Sequence, residues 1–549
     1  MKLIYGLNNA TKLDYDEVLY YFGFKFETKK FLLDAGYKLS DTRELISEAA
    51  HEIRFEFIDY ISEIGKKQKN TSKWWSSRIA SKSNLQTDFF SLICLLHAFS
   101  KIKDQSITVI TDDYRVFFLF KNNFNLKIEF HSIFQAVKEA NLSLLKSILS
   151  TIPKRLKYII SKFIYNYKTK KVLKSYPANS TFLYSWVEER SFNSDSGEYN
   201  DPYFPDIDKY IDKKRDLVYF CSYYTQTNLV RRLAEKRNLD GLSNYSSLLM
   251  LIKSSFCMFN PRGVNNFKSY NLNSLWRFEV ISENSKMNFI SNIHDYFAWK
   301  KFFKNNSSKI IYPFENQPWE KVMLLANQKM KTLAVLHTTI HNLLLPFHTT
   351  KRELEYMPTP DIIITNSETT QVLYEKYYLS SNVRILNAGS LRFKNTNSTL
   401  NIERKKPIIG IMLSCIRSQT EEIIADIMKN ANSEFQYQIK LHPDLNTSVQ
   451  ANDNIQIFKG SALELYEKAH AIVYSSSTSG LEAYCKGIPV FRFRTQYMDL
   501  ETAENSFSPK IINSIKEISK EELVFHSPKD IFSSVNKPVW QEILKCNST

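Results

Sequence analysis

From residue 181 onward the chain alternates short apolar runs with stretches in which apolar residues recur at helical spacing. The runs Phe182–Val187, Leu217–Tyr223, Lys309–Tyr312, Thr332–Leu336, Asp361–Thr365 and Val383–Leu386 have strand length and strand-forming residue types. Strands separated by helices predict a parallel, doubly wound sheet. The polar, aperiodic stretch KNTNSTLNIERKKP then breaks the series. A second series opens at Ile408–Leu413 and continues through Gln438–Leu441, Ile455–Phe458, Ala471–Tyr474 and Val490-Phe491. The expectation is an α/β fold of two Rossmann-like domains with helical additions at the N-terminus. Those additions cover Asp16 to Gly65 and the run Phe89–Phe99, with Lys2–Tyr5 and Ser106–Ile110 as strands. The expected division is 1–395 for the first α/β domain, 396–500 for the second, and 501–549 for a helical return segment.

Ahead of residue 181 lies a segment of another kind. In SILSTIPKRLKYIISKFIYNYKTKKVLK, Leu156, Ile159, Ile160, Phe163, Ile164 and Tyr167 recur at helical spacing with lysines between them. No acidic residue occurs from Asn141 to Val187, so nine of the chain's sixteen excess positive charges sit here. Residues 141–179 therefore predict a basic amphipathic helix, and through 146–174 an anionic membrane surface is a candidate partner. An ordinary surface helix with solvated lysines fits the same pattern. With the net charge of +16 concentrated in this way, a nucleic-acid partner is not expected.

The six cysteines are scattered, with no C-x-x-C pair and no clustered histidines, which points to a reducing compartment and away from a zinc site. The N-terminus MKLIYGLNNATKLDYDEV is too polar for a signal peptide, and no apolar run reaches the length of a bilayer span. The expected location is the cytoplasm, with a peripheral place on the inner face of the cytoplasmic membrane as the variant.

The chemistry concentrates in the second series. Ala471–Tyr474 runs directly into Ser475, Ser476, Ser477, Thr478 and Ser479, then Gly480 and a helical pattern with Glu482 in its first turn. Such a turn gathers backbone N–H and hydroxyl donors at the positive end of a helix dipole, where a phosphate fits. A plain N-cap is the simpler alternative. Two other strands of the series end in SCIRS, with Ser414 and Arg417, and in KLHPDL, with Lys440, His442 and Pro443. Carboxyl ends of parallel strands share one edge, so these side chains are expected around a single anion.

This half resembles the nucleotide-sugar domain of GT-B glycosyltransferases. Within them it is similar to the bacterial enzymes that use CMP-activated acidic sugars, whose His-Pro and Ser-Ser/Thr motifs hold the donor phosphate. His442-Pro443 and Ser475 to Ser479 match those positions. Poly(glycerol-phosphate) transferases share a similar pattern. In the first half, Trp74-Trp75, SWVEERSF with NDPYF, PFENQPWEK and the strand end LHTTI resemble a family of bacterial surface carbohydrate biosynthesis proteins, over most of the chain and in motif order. The resemblance implies a metal-independent GT-B glycosyltransferase with its active site in the cleft between two domains. It implies a nucleotide-sugar donor, foremost a CMP-activated ulosonic acid such as CMP-Kdo, and a lipopolysaccharide, capsule or similar glycan acceptor, lipid-linked or not. The nucleotide sugar is then a co-substrate, and no cofactor is needed. The chain shows no clear Asp/Glu-Asp/Glu-Gly motif of the sialyltransferase kind, which weighs against a sialic acid donor. Transfer of a phosphopolyol from a CDP donor is the alternative chemistry, and a non-catalytic glycan-binding or assembly protein the alternative outside catalysis.

Glycosyl transfer needs a group to take the acceptor hydroxyl proton, or a carboxylate nucleophile. Glu315 follows a strand directly, with Asn316 and Gln317 beside it as candidate sugar-hydroxyl ligands. Glu320 is a further acceptor-side candidate, more naturally a helix N-terminal residue. His337 follows another strand, and Asp201 precedes Pro202 in an acidic loop where a turn-forming role competes with catalysis.

Overall fold

The computed structural model describes residues 1–6, 18–68, 71–103, 107–177, 180–193, 196–210, 217–221, 225–263, 266–306, 308–393, 406–443, 445, 447–496, 501–504 and 506–544. Most of the polar linker, 394–405, lies outside the described residues, as do Ser106, Ser222 and Tyr223 at the ends of two expected strands.

Three parallel sheets organise the chain. The first joins β1 (Lys2–Tyr5), β2 (Leu19–Tyr21), β3 (Thr108–Thr111) and β4 (Lys127–Ile128) in the order β2-β3-β1-β4. The second has seven strands: β5 (Thr181–Ser185), β6 (Leu217–Cys221), β7 (Leu239–Gly241), and, beyond a hairpin of β8 (Asn266–Phe267) and β9 (Tyr270–Asn271), β10 (Lys309–Pro313), β11 (Lys331–Val335), β12 (Ile362–Thr365) and β13 (Arg384–Asn387). Its order is β13-β12-β11-β10-β5-β6-β7. The third joins β14 (Ile408–Met412), β15 (Gln436–Lys440), β16 (Ile455–Ile457), β17 (Ala471–Tyr474), β18 (Val490–Phe493) and β19 (Lys510–Ile512) in the order β16-β15-β14-β17-β18-β19.

The two expected α/β series are thus the second and third sheets. Both are doubly wound: the chain runs outward from β5 and from β14 to one side, then returns to build the other. Their central strands are buried on both faces, as apolar runs without alternation require, while the edge strands β13, β16 and β19 are partly exposed.

The N-terminal additions differ from expectation. They hold a sheet as well as the helices Arg43–Lys67 and Phe89–Ile102. Leu19–Tyr21 falls inside the stretch expected to be helical, and three residues are too few to show a strand period. One contiguous apolar core runs from Leu3, Tyr5 and Val109 of the first sheet to Phe182, Ile310 and Tyr312 of the second. Residues 1 to about 390 are therefore packed as one body with two sheets.

The C-terminal segment is a second correction. Of the expected helical return only the last helix, Lys537–Leu544, forms among the described residues; before it β19 extends the third sheet and short 3-10 turns follow. That helix leaves the third sheet and packs on the second. Trp540 is fully buried among Leu183, Ile311 and Leu333, and its Nε1 donates to Ala388 O at 3.0 Å. Lys309 Nζ donates to Ile543 O at 2.8 Å, closing the carboxyl end of the helix.

At the end of β7, Asp240 is fully buried and accepts hydrogen bonds from Gly241 N, Asn244 Nδ2 and Tyr245 Oη at 2.7–2.8 Å. Burial pushes its carboxyl up to about 6. The folded state then binds the proton more tightly than the unfolded chain between about pH 4 and 6, so stability falls as pH rises through that window. Asp240→Asn should flatten this slope and raise stability at pH 7 by roughly 1–3 kcal/mol. Thermal unfolding of both proteins at pH 4.5 and pH 7 measures it.

Candidate functional site

Register places the polar residues of the second sheet. Pro313 of β10 lies opposite Val335 of the neighbouring β11. Glu315 and His337, each two residues farther on, are therefore level at the carboxyl edge. Their side chains meet, His337 Nε2 to Glu315 Oε1 at 3.5 Å. His337 is buried, whereas the Glu315 side chain keeps about 32% of its surface exposed, so the carboxylate faces solvent with the imidazole behind it. Trp186, the first residue past β5, and Tyr203 wall in the imidazole, with ring centroids 6.3 and 5.0 Å away. Tyr203 Oη donates to Glu188 Oε1 at 3.1 Å, and Arg190 pairs with the other oxygen of Glu188 at 2.5 Å. Burial, with Glu188 next, raises the Tyr203 phenol well above its usual value and keeps it a hydrogen-bond donor.

The neighbouring polar residues hold the loop. Asn316 adopts φ +57° and its Nδ2 donates to Pro346 O at 2.6 Å, fixing the left-handed turn that presents Glu315. Glu320 is fully buried, and its Oε1 accepts from Glu315 N at 3.0 Å and Gln317 N at 2.9 Å. It caps the helix Pro318–Ala326 from within, and burial holds its carboxyl well above the carboxylate range. Gln317 is the N-cap of that helix. Asp201 lines a polar cavity of about 530 Å³, but Oδ1 accepts from Tyr203 N and Phe204 N and Oδ2 from Tyr199 Oη at 2.8–3.0 Å. It locks the turn that carries Tyr203. Asp201 thus has both carboxylate oxygens committed to the protein, and Asn316 Nδ2 and Glu320 Oε1 hold the loop, while Glu320 Oε2 is buried without a hydrogen-bond partner among the described residues; Glu315 and His337 are the pair that lines the edge.

The third sheet repeats the geometry. Met412 of β14 lies opposite Lys440 of β15 on one side and Tyr474 of β17 on the other. Two residues beyond these strand positions come Ser414, His442 and Ser476, level along one edge. The three strand ends SCIRS, KLHPDL and SSSTSG are adjacent, as expected. Gln419, buried in the first turn of the helix Arg417–Asn430, ties two of them together. Its Oε1 accepts from Ser414 Oγ at 3.0 Å and Ser475 Oγ at 3.3 Å, and its Nε2 donates to Ser476 Oγ at 2.9 Å. Ser477 is the N-cap of the helix Thr478–Cys485, accepting from Ser479 N at 3.3 Å and Ser479 Oγ at 2.8 Å. Ser476, Ser477 and Thr478 remain partly exposed, while Ser475 and Ser479 are buried. Gly487 ends that helix at φ +83°, with Ile488 N bonded back to Ala483 O.

The remaining residues of the expected anion site divide. Arg417 begins its helix, well exposed and paired only loosely with Glu421 at 3.5 Å. His442 is half-buried and Pro443 exposed. Lys440 turns aside, its Nζ donating to Gly460 O at 2.6 Å. Glu482 faces Tyr466 Oη at 3.3 Å, and burial raises its carboxyl while Arg392 pulls it back. Among the described residues no group of three or more His, Cys, Asp or Glu is placed to hold a metal ion.

Loops from the two carboxyl edges meet. Ala503 N donates to Ile340 O at 2.8 Å, Asn342 N to Glu501 O at 2.6 Å, and Ser367 Oγ to Glu504 Oε1 at 2.9 Å. The loop after β11, which carries His337, is thereby stitched to the loop after β18. Both edges open toward one junction.

No family model matches the chain, and no curated protein matches it either. Among solved structures it is similar to CalG4, the calicheamicin glycosyltransferase, at 11% identity and a TM-score of 0.36, over 66% of this chain and 93% of that one. It is similar to the wall teichoic acid polymerase TagF at 12% identity and a TM-score of 0.31, over 73% of this chain and 91% of that one. A UDP-GlcNAc 2-epimerase from Neisseria meningitidis aligns at 13% identity and a TM-score of 0.32, over 57% and 82% of the two chains. Likenesses this distant say nothing of the chemistry, which rests on the chain's own residues.

Gln419 is the site residue that the sequence pattern did not single out; a glutamine in a first helical turn looks like any solvated one. Trp186 and Tyr203 lie inside SWVEERSF and NDPYF, and only the fold shows that both close on His337.

Proposed function

We propose that the chain is a GT-B type glycosyltransferase that moves a sugar from a nucleotide-activated donor to a glycan acceptor, with a CMP-activated ulosonic acid such as CMP-Kdo as the foremost donor. The observation that carries this reading is the matched pair of edges. One presents partly exposed hydroxyls, a helix N-terminus, His442 and Arg417, and so gathers hydrogen-bond donors, with Glu421 the carboxylate 3.5 Å from Arg417. The other presents a solvent-facing carboxylate backed by an imidazole. In the reaction the bond between the anomeric carbon and the phosphate oxygen breaks, and the nucleotide leaves with the electron pair. Ser476, Ser477, Thr478, His442 and the N-terminus of the helix Thr478–Cys485 stabilise the charge that develops there. The acceptor hydroxyl attacks the anomeric carbon and gives its proton to Glu315, whose charge His337 steadies.

The reading is tested by screening nucleotide sugars and CDP-polyols for turnover by mass spectrometry, with calorimetry of CMP, CDP and UDP. CMP binding with turnover of a CMP-sugar supports it; turnover of a CDP-polyol alone, or no nucleotide binding, overturns it. Within that experiment His442→Ala should weaken nucleotide binding by roughly 1.5–3 kcal/mol with the fold intact, the usual worth of a hydrogen bond to a charged group. Unchanged affinity in the variant removes His442 from the phosphate site.

A further inference from the structure

The basic segment belongs to one helix, Phe130–Thr169, of 40 residues and about 60 Å. It starts eleven residues before the expected boundary at 141, and residues 170–179 lie beyond it. One side packs on the protein through Ala136, Ala140 and Tyr158. The opposite side is apolar and uncovered. Leu145, Ile148, Ile152, Leu156, Ile160 and Phe163 are each 49–70% exposed. They recur about every 3.6 residues, the period of a straight helix, so the stripe runs along the axis and does not wind around it as a 3.5-residue coiled-coil seam would. Leu249 and Ile252 of the adjoining helix Leu248–Ser255, with Phe256 just beyond, are also exposed, and Arg155 ties that end to the stripe by a 2.7 Å bond to Ser255 O.

Charge decides what covers this face. Lys146, Lys157 and Lys168 are exposed and spaced eleven residues apart, three helical turns, so they line up along one margin about a third of a turn from the centre of the stripe. No acidic residue from 141 to 187 balances them. A second copy of the same face would bring these lysines together; an anionic surface would pair them. Among the described residues no helix is long and apolar enough to cross a membrane. The geometry points to a helix lying in the headgroup layer of an anionic bilayer. Its stripe sits at the acyl boundary, and the lysine margin reaches the lipid phosphates. The inference stands apart from the proposed transfer reaction, because its readout is lipid binding without turnover.

Flotation of the full chain with phosphatidylcholine vesicles, with and without about 30% phosphatidylglycerol, tests it. Binding to the anionic vesicles should be at least about tenfold tighter and should fall steeply at high salt. At roughly fivefold per lysine, Lys146→Ser with Lys157→Ser and Lys168→Ser should cost about a hundredfold. Ile152→Glu with Ile160→Glu should abolish flotation without moving the thermal unfolding curve, since both side chains are exposed. Equal binding to both vesicles, or none to either, overturns the inference. So does light scattering that shows a dimer which Ile152→Glu with Ile160→Glu makes monomeric.

Discussion

Glu315→Gln is expected to lower turnover by about 10²–10⁴-fold while nucleotide affinity stays within about twofold, the usual range for removing a general base. Both halves of the expectation follow from placement. Glu315 lies on the edge of the second sheet, whereas the hydroxyl cluster, His442 and Arg417 are on the third. The amide keeps the volume beside His337, 3.5 Å away, and the loop is held by Asn316 and Glu320 and not by the Glu315 carboxylate, so it stays in place. Steady-state rates beside calorimetric affinities measure the split. A variant that turns over near-normally would move the base to His337. A variant that loses nucleotide affinity as well would put the donor against the second sheet.

Trp540→Ala should destabilise the chain by about 3–5 kcal/mol, the usual cost of emptying a fully buried aromatic position. Trp540 is 0% exposed, packs against the second sheet, and spends its indole N–H on Ala388 O. The loss should appear as a lowered melting transition and as early proteolysis within residues 181–390. The third sheet has separate apolar layers on its two faces, built around Ile411 with Val473 and around Ile472 with Leu481. It should keep its nucleotide affinity at temperatures where the rest has loosened. A single unchanged melting transition would mean that the last helix contributes little.

Strands were legible where they are buried on both faces. IIGIM, AIVY, KIIYP and IIIT are runs of four or five residues that hardly admit another reading. Of the first sheet, Lys2–Tyr5 and the run through Val109 were legible too, but Leu19–Tyr21 and Lys127–Ile128 were not, because they have three and two residues and depend on partners far away in sequence. The hydroxyl run and His442 stood out because each follows a strand at a fixed offset, which register turns into adjacency. Glu315 and Glu320 stood in one loop with equal claims by sequence. Burial separates them: one carboxylate faces solvent and the other is enclosed beneath two backbone N–H groups. The long helix was recognised only where it is basic. Its N-cap is Glu129 and its third turn carries Glu139, so this part lacks the charge signature, though the apolar stripe already begins at Phe130 and Phe134.

The helix that closes the second sheet's core is synthesised only after the whole third sheet. Leu391, the last residue of that core before the linker, is separated from Trp540 by the whole third sheet. At typical rates of about 5–20 residues per second, roughly 7–30 s pass between their emergence. During that interval the face around Leu183, Ile311 and Leu333 lacks its cover, and the third sheet gains the last of its strands at Ile512, before Trp540 is made. The later sheet is therefore placed to fold first, and the earlier one waits with apolar surface open to chaperones. A stalled or truncated nascent chain would expose a sticky surface in its middle and carry a finished domain at its end.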